Sequence, residues 1–239
     1  MPPPDRSCFQ ALNIPSNTVP EYMGSFHLSA PPNTDLWRKP PSRDTSTAPI
    51  LYTSLRYPFV SAEVTVSAQW KLEWDQAGLC IFAGTPPGRT PPAAAITTIS
   101  ADGTATTIPP PYTLPVASKW VKIGLEFTNN ACHAASVVAT ADGADWAVTS
   151  LPPYQAHCSD LRIKFERVGW ALWIYFEDRQ LGWKKLREVT YFFFGVEDKS
   201  VRVGVYASRP ANFNVSQYDR THGFGQTNLR VDFEDLQIY

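Results

Sequence analysis

The chain has 239 residues, with 21 lysines and arginines against 22 aspartates and glutamates, for a formal charge of −1. That balance argues against a general nucleic-acid binder, which carries a basic excess or a basic stripe. Aromatic residues at 13% and a total of 22 prolines exclude a disordered chain on one side and a helical bundle on the other.

Residues 1–49 are proline-dense and show no sustained periodicity, so they are expected to pack over a domain formed by residues 50–239 rather than fold alone. Within them, Ser25-Phe26-His27-Leu28-Ser29 and Asp35-Leu36-Trp37-Arg38 read as short pieces that dock as edge strands. The opening Met1-Pro2-Pro3-Pro4-Asp5-Arg6 lacks the apolar stretch of a secretory signal. No apolar run reaches the roughly 18 residues that span a bilayer. The expectation is a cytoplasmic protein without membrane contact.

From residue 50 onward the hydrophobic period is two. Val60, Ala62, Val64, Val66 and Ala68 alternate with polar residues, as a half-buried strand does. Gly84–Ser118, rich in proline, threonine and alanine, then interrupts the pattern and is too long for a hairpin turn. In the next strand Val121, Ile123, Leu125 and Phe127 form one face, and Trp120, Lys122, Gly124 and Glu126 the other. Leu161–Glu166, Ala171–Phe176, Val201–Tyr206 and Leu229–Tyr239 repeat the alternation. Asp142-Gly143, Val168-Gly169, Leu181-Gly182 and Glu197-Asp198-Lys199 supply turn signals between them. Many strands without intervening helices predict an all-β antiparallel sandwich or jelly roll.

Motifs for metal and cofactor chemistry are missing. Cys8, Cys80, Cys132 and Cys158 lack the CxxC spacing and are expected to be free thiols. His27, His133, His157 and His222 are scattered without H-x-H or H-E-x-x-H spacing. No glycine-rich phosphate loop occurs, so no cofactor is expected. Glu73 and Asp75 alternate on one strand, but Ala77 stands where a third alternate acid would serve a glycosidase of the retaining type.

A set of motifs in a shared order carries a family resemblance. Asp75-Gln76-Ala77-Gly78-Leu79 precedes Lys119–Phe127. Ala144-Asp145-Trp146, Trp183–Val189, Val203–Pro210 and Val231–Leu236 follow. Over residues 20–239 the chain resembles the domain-of-unknown-function family typified by the fungal regulation-of-enolase protein. The resemblance implies a concanavalin-A-like β-sandwich of two antiparallel sheets, one of them concave. It implies fold more than activity, and the Gly84–Ser118 insertion exceeds the usual pattern.

If Val121, Ile123, Leu125 and Phe127 pack between the sheets, then Trp120, Lys122 and Glu126 point outward, onto the concave face of such a fold. Lys122 and Glu126 lie about 13 Å apart along the strand, too far to pair directly, so each needs a neighbour such as Arg162, Lys164 or Glu166. The same alternation exposes Arg202 and Tyr206, with room left by Gly204. Trp146, Trp170, Trp173 and Trp183 are candidate stacking platforms, and Arg220–Gln226 a loop that could gate an opening. The plainer reading is a cross-strand ladder that holds the sheet together.

The function expected is binding of a small organic molecule or carbohydrate by Trp120, Lys122, Glu126, Arg187 and Tyr206, with Asp75 and Gln76 at the rim. One alternative is a cofactor-free biosynthetic enzyme catalysing a cyclisation, cycloaddition or isomerisation in a pocket on that face. Another is a regulator acting through a protein partner, or a homodimer.

Overall fold

A computed structural model describes residues 8–15, 18–40, 43–55, 57–88, 96–99, 105–108, 119–196, 201–211 and 228–239. The early strands are β1 (Phe9–Leu12), β2 (Ser25–Ala30), β3 (Leu36–Lys39), β4 (Arg43–Ser46), β5 (Ile50–Ser54), β6 (Ser61–Ala68) and β7 (Gln76–Ala83). Then come β8 (Ile96–Ile99), β9 (Ala105–Ile108), β10 (Lys119–Thr128), β11 (Ala131–Thr140) and β12 (Gly143–Ser150). The last are β13 (Asp160–Val168), β14 (Ala171–Asp178), β15 (Gly182–Val189), β16 (Val201–Ser208) and β17 (Leu229–Ile238). No α-helix occurs among the described residues.

Two antiparallel sheets make the sandwich. One has seven strands in the order β1-β5-β16-β7-β10-β11-β12, the other six in the order β15-β14-β13-β6-β17-β2. Between them lie Val64, Ile81, Ile123, Leu125, Ile163, Phe165, Ile174, Val205 and Phe233, all fully buried. The β10–β11 turn is Asn129-Asn130, both with positive φ (52° and 60°), the backbone that a two-residue hairpin needs and asparagine tolerates.

A second apolar cluster sits on the outer face of the seven-stranded sheet. Leu36, Ile50, Tyr52, Cys80, Phe82, Trp120, Val137 and Tyr206 are buried there, with Trp37 packed against them. The cover is the two-stranded ribbon β3–β4. Arg38 clamps it. Its guanidinium donates to both carboxylate oxygens of Asp44 at 2.7 and 2.8 Å and to the carbonyl of Thr140 at 3.0 Å, while Trp120 Nε1 donates to Asp44 at 3.2 Å.

Several expectations change. Ser25–Ser29 does form an edge strand, β2 beside β17. Asp35–Arg38 instead pairs with β4 over the sheet, because alternation puts Leu36 and Arg38 against buried partners below. Val60 lies before β6 and is 57% exposed. Arg162, Lys164 and Glu166 cannot neighbour Lys122 or Glu126, because β13 belongs to the other sheet and β10 is flanked by β7 and β11. Within Gly84–Ser118, β8 and β9 form a ribbon. Glu197–Lys199, Arg220–Gln226 and His222 lie outside the described residues.

Candidate functional site

Strand register arranges the outer face of the seven-stranded sheet in rows. Trp146, Val137, Lys122 and Cys80 form one row across β12, β11, β10 and β7. His133, Glu126, Gln76 and Ser208 form another across β11, β10, β7 and β16. Directly opposite residues share a face. Between these rows runs Gly124–Gly78–Tyr206. A Cβ on Gly78 would fall 1.9 Å from the Ile123 carbonyl oxygen, so the strand approach itself demands glycine. The vacant position lets Tyr206 reach across: its hydroxyl is 3.4 Å from Gln76 Oε1, and its ring centroid lies 5.4 Å from Lys122 Nζ.

A cavity of about 430 Å³ opens where the two rows meet the end of the β3–β4 ribbon. Asp35, Trp37 and Lys39 descend into it from the ribbon, Trp74 and Gln76 from the start of β7, and Lys122, Glu126 and Trp146 from the sheet. Trp74 and Trp146 are 50% and 42% exposed, presenting their rings to any occupant. Trp74 has φ of +66°, which is uncommon for a bulky residue and marks a locally strained backbone. Its amide donates to the Phe127 carbonyl at 2.7 Å, which fixes it there.

The charged groups are buried among these rings. Lys122 is 1% exposed, and its Nζ has no hydrogen-bond partner among the described residues. The nearest opposite charge is Asp35 Oδ1 at 3.5 Å, and the Trp37 centroid lies 6.0 Å away. Burial lowers the pKa of the Lys122 ammonium, partly offset by Asp35 and Glu126. Glu126 is 3% exposed and accepts from Trp146 Nε1 at 3.2 and 3.3 Å. Burial raises its carboxyl above the ordinary range, while Lys122 and the Trp146 hydrogen bond pull it back. Burial likewise pushes the Tyr206 hydroxyl well up. The site therefore offers a buried cationic donor, a buried carboxyl, an amide and flat aromatic walls.

Of the residues singled out from the sequence, Gln76, Lys122 and Glu126 meet at this cavity. Trp120 and Tyr206 stand on the correct face but are covered, at 0% and 2% exposure, by the ribbon and its cluster. Asp75 is not a rim residue. It is fully buried in a two-bond pair with Arg209 at 2.8 and 2.7 Å and also accepts from the amides of Lys71 and Leu72. Glu73 is similarly engaged, by Thr128 and the Asn129 amide. Arg187 is in the six-stranded sheet, paired with Asp145, and does not line the cavity.

Trp146 alone of the four candidate platforms lies at the cavity. Trp173 and Trp183 belong to the six-stranded sheet, where Lys185 lies 4.2 Å from the first ring and Lys164 4.9 Å from the second. Trp170 packs edge-on against Phe194. Sequence reasoning missed Asp35, Trp37 and Trp74. The alternation in Asp35-Leu36-Trp37-Arg38 carried the signal for the first two, since it sets Asp35 and Trp37 on one face.

The comparisons with known proteins agree with this architecture. A protein of Emericella nidulans, named Uncharacterized protein AN7484, is 34% identical over 190 residues, 78% of each chain. The crystal structure of a functionally unknown protein from Saccharomyces cerevisiae is 18% identical, with a TM-score of 0.64, and the match covers 99% of this chain and 98% of that one. The GH43 protein BlXynB from Bacillus licheniformis is 13% identical, with a TM-score of 0.52, over 99% of this chain and 35% of its own. At such identities the structural likeness is one of fold, the concanavalin-A-like β-sandwich. Residues 12–239 match the family described as "Protein of unknown function (DUF1349)", and the chain belongs to that family.

Proposed function

We propose that the protein binds a small polar organic molecule or a carbohydrate in the cavity beneath the end of the β3–β4 ribbon. The observation that carries this reading is the placement of Trp37, Trp74 and Trp146 around a buried Lys122 whose Nζ has one long contact, to Asp35 Oδ1 at 3.5 Å, for its three donors. A structural lysine on a sheet face normally has acceptors around it, because an unsatisfied buried donor costs about 1–3 kcal/mol or more if charged. An oxygen of a bound ligand completes the set. Glu126 and Gln76 then fix neighbouring polar groups, and the indole faces take the apolar side of a ring. The volume falls within the range of about 300–1,000 Å³ seen in small-molecule sites.

Tryptophan fluorescence is the natural assay, since two half-exposed indoles border the cavity. The protein is titrated with monosaccharides, disaccharides and neutral cyclic organic compounds. Trp74→Ala and Trp146→Ala are each expected to weaken binding about 2- to 10-fold, as loss of one aromatic contact implies. A ligand held equally well by both variants lies elsewhere and refutes the assignment.

A further inference from the structure

Lys122 has the setting of a nucleophile. Its side chain is 2% exposed, its Nζ has only a long contact to Asp35, and it borders a cavity large enough for an organic molecule. Holding an ammonium in so dry a place is costly, and burial shifts it toward the neutral amine. A desolvated lysine amine is the kind that attacks carbonyl carbon. The other parts for that reaction surround it. Asp35 Oδ1, 3.5 Å away, can take the ammonium proton. Glu126 lies on the same face of β10 and holds its own proton more firmly than a solvated carboxyl does. The Trp37 and Tyr206 rings, 6.0 and 5.4 Å from Nζ, close the amine off from bulk water.

We propose that Lys122 forms an iminium with an aldehyde or ketone bound in this cavity; the proposal rests on the cavity being a ligand site. Asp35 accepts one proton from the ammonium. The amine lone pair forms the C–N bond while the carbonyl π pair moves onto oxygen, and a proton from nitrogen passes to that oxygen to give a carbinolamine. Glu126 donates its proton to the hydroxyl, the C–O bond breaks and one water leaves. The iminium cation then stands in the cavity that the Glu126 carboxylate also lines. No electrons are gained or lost overall, so neither oxidant nor reductant is needed.

The test uses the wild-type protein, benzaldehyde and sodium cyanoborohydride at pH 7, with peptide mass spectrometry to locate benzylated lysines. Lys122 is expected to be labelled faster than the exposed Lys185 by about tenfold for each unit by which its pKa lies below that of an ordinary lysine. Glu126→Gln is expected to slow labelling of Lys122 and leave Lys185 unchanged. Labelling of Lys122 no faster than that of Lys185 overturns the proposal. Benzyl alcohol, which lacks the carbonyl, separates the two possible failures. If it quenches wild-type tryptophan fluorescence but not that of Trp146→Ala while Lys122 stays unlabelled, the amine chemistry falls and the ligand site stands. If neither benzyl alcohol nor any of the sugars and cyclic compounds binds and Lys122 stays unlabelled, both readings fall.

Discussion

Replacing Asp75 by asparagine removes one charge and almost no volume from beside the cavity. Asp75 is 0% and Arg209 3% exposed, so neither retains solvent to soften the loss. The two guanidinium bonds, at 2.8 and 2.7 Å, become contacts with an amide that can accept through only one of its two ends. The amides of Lys71 and Leu72, 3.2 and 3.0 Å from Oδ2, compete for that same acceptor. Removing one partner of a buried pair costs about 3–5 kcal/mol. For a chain of this size that corresponds to a fall in Tm of about 6–20 °C. The internal control is Asp145→Asn. Asp145 is also paired, with Arg187, but its side chain is 72% exposed, and a pair in water is worth about 0–1 kcal/mol. Urea unfolding of both variants, followed by far-UV circular dichroism, measures the contrast. If Asp75→Asn costs no more than Asp145→Asn, burial is not what gives the Asp75–Arg209 pair its importance, and the reasoning is wrong.

Glu126→Gln tests the electrostatics of the cavity. The folded state raises the Glu126 carboxyl above its unfolded value through burial, so between those two values the native chain holds a proton that the unfolded chain has released. Stability then declines as pH rises through that window and levels off above the folded value. The glutamine variant should show a flatter profile across it in urea unfolding, and an unchanged slope would show that Glu126 titrates as if solvated. Gly124→Ala should destabilise by about 1–3 kcal/mol or more, since overpacking forces the backbone to move. Its Cβ would lie 1.9 Å from the Ala77 carbonyl, so β7 and β10 must part. An unfolding midpoint equal to wild type would remove the stated reason for glycine at that position.

The faces of β10 could be read from its sequence because alternation there is strict: Val121, Ile123 and Leu125 are buried between the sheets and Lys122 and Glu126 lie opposite. What covers a face is a different matter. Alternation in Trp120 and Tyr206 is the same whether water or a ribbon lies above them, and only the packing of Leu36 decides it. Strands β5 and β7 gave no alternating signal for a related reason. With β3–β4 on one side and the second sheet on the other, β7 is buried at every position from Gln76 to Ala83, and a strand buried on both faces reads as one apolar run. Asp75 misled because a carboxylate beside a strand end looks solvated in sequence. Its partner, Arg209, is 134 residues away.

The cavity draws its walls from Asp35 and Trp37 near one end of the chain and from Pro210 near the other. Strand β2, just before that ribbon, pairs with β17, so Phe26 meets Phe233. Such distant pairings form slowly, because loop closure precedes any gain from contact. As the chain leaves the ribosome, β2 emerges well before the β17 strand with which it pairs. A chain halted before residue 229 holds β2 without its partner. A truncated product of that kind would expose an unpaired edge to other chains, which makes the closing strand a safeguard against aggregation as much as a part of the fold.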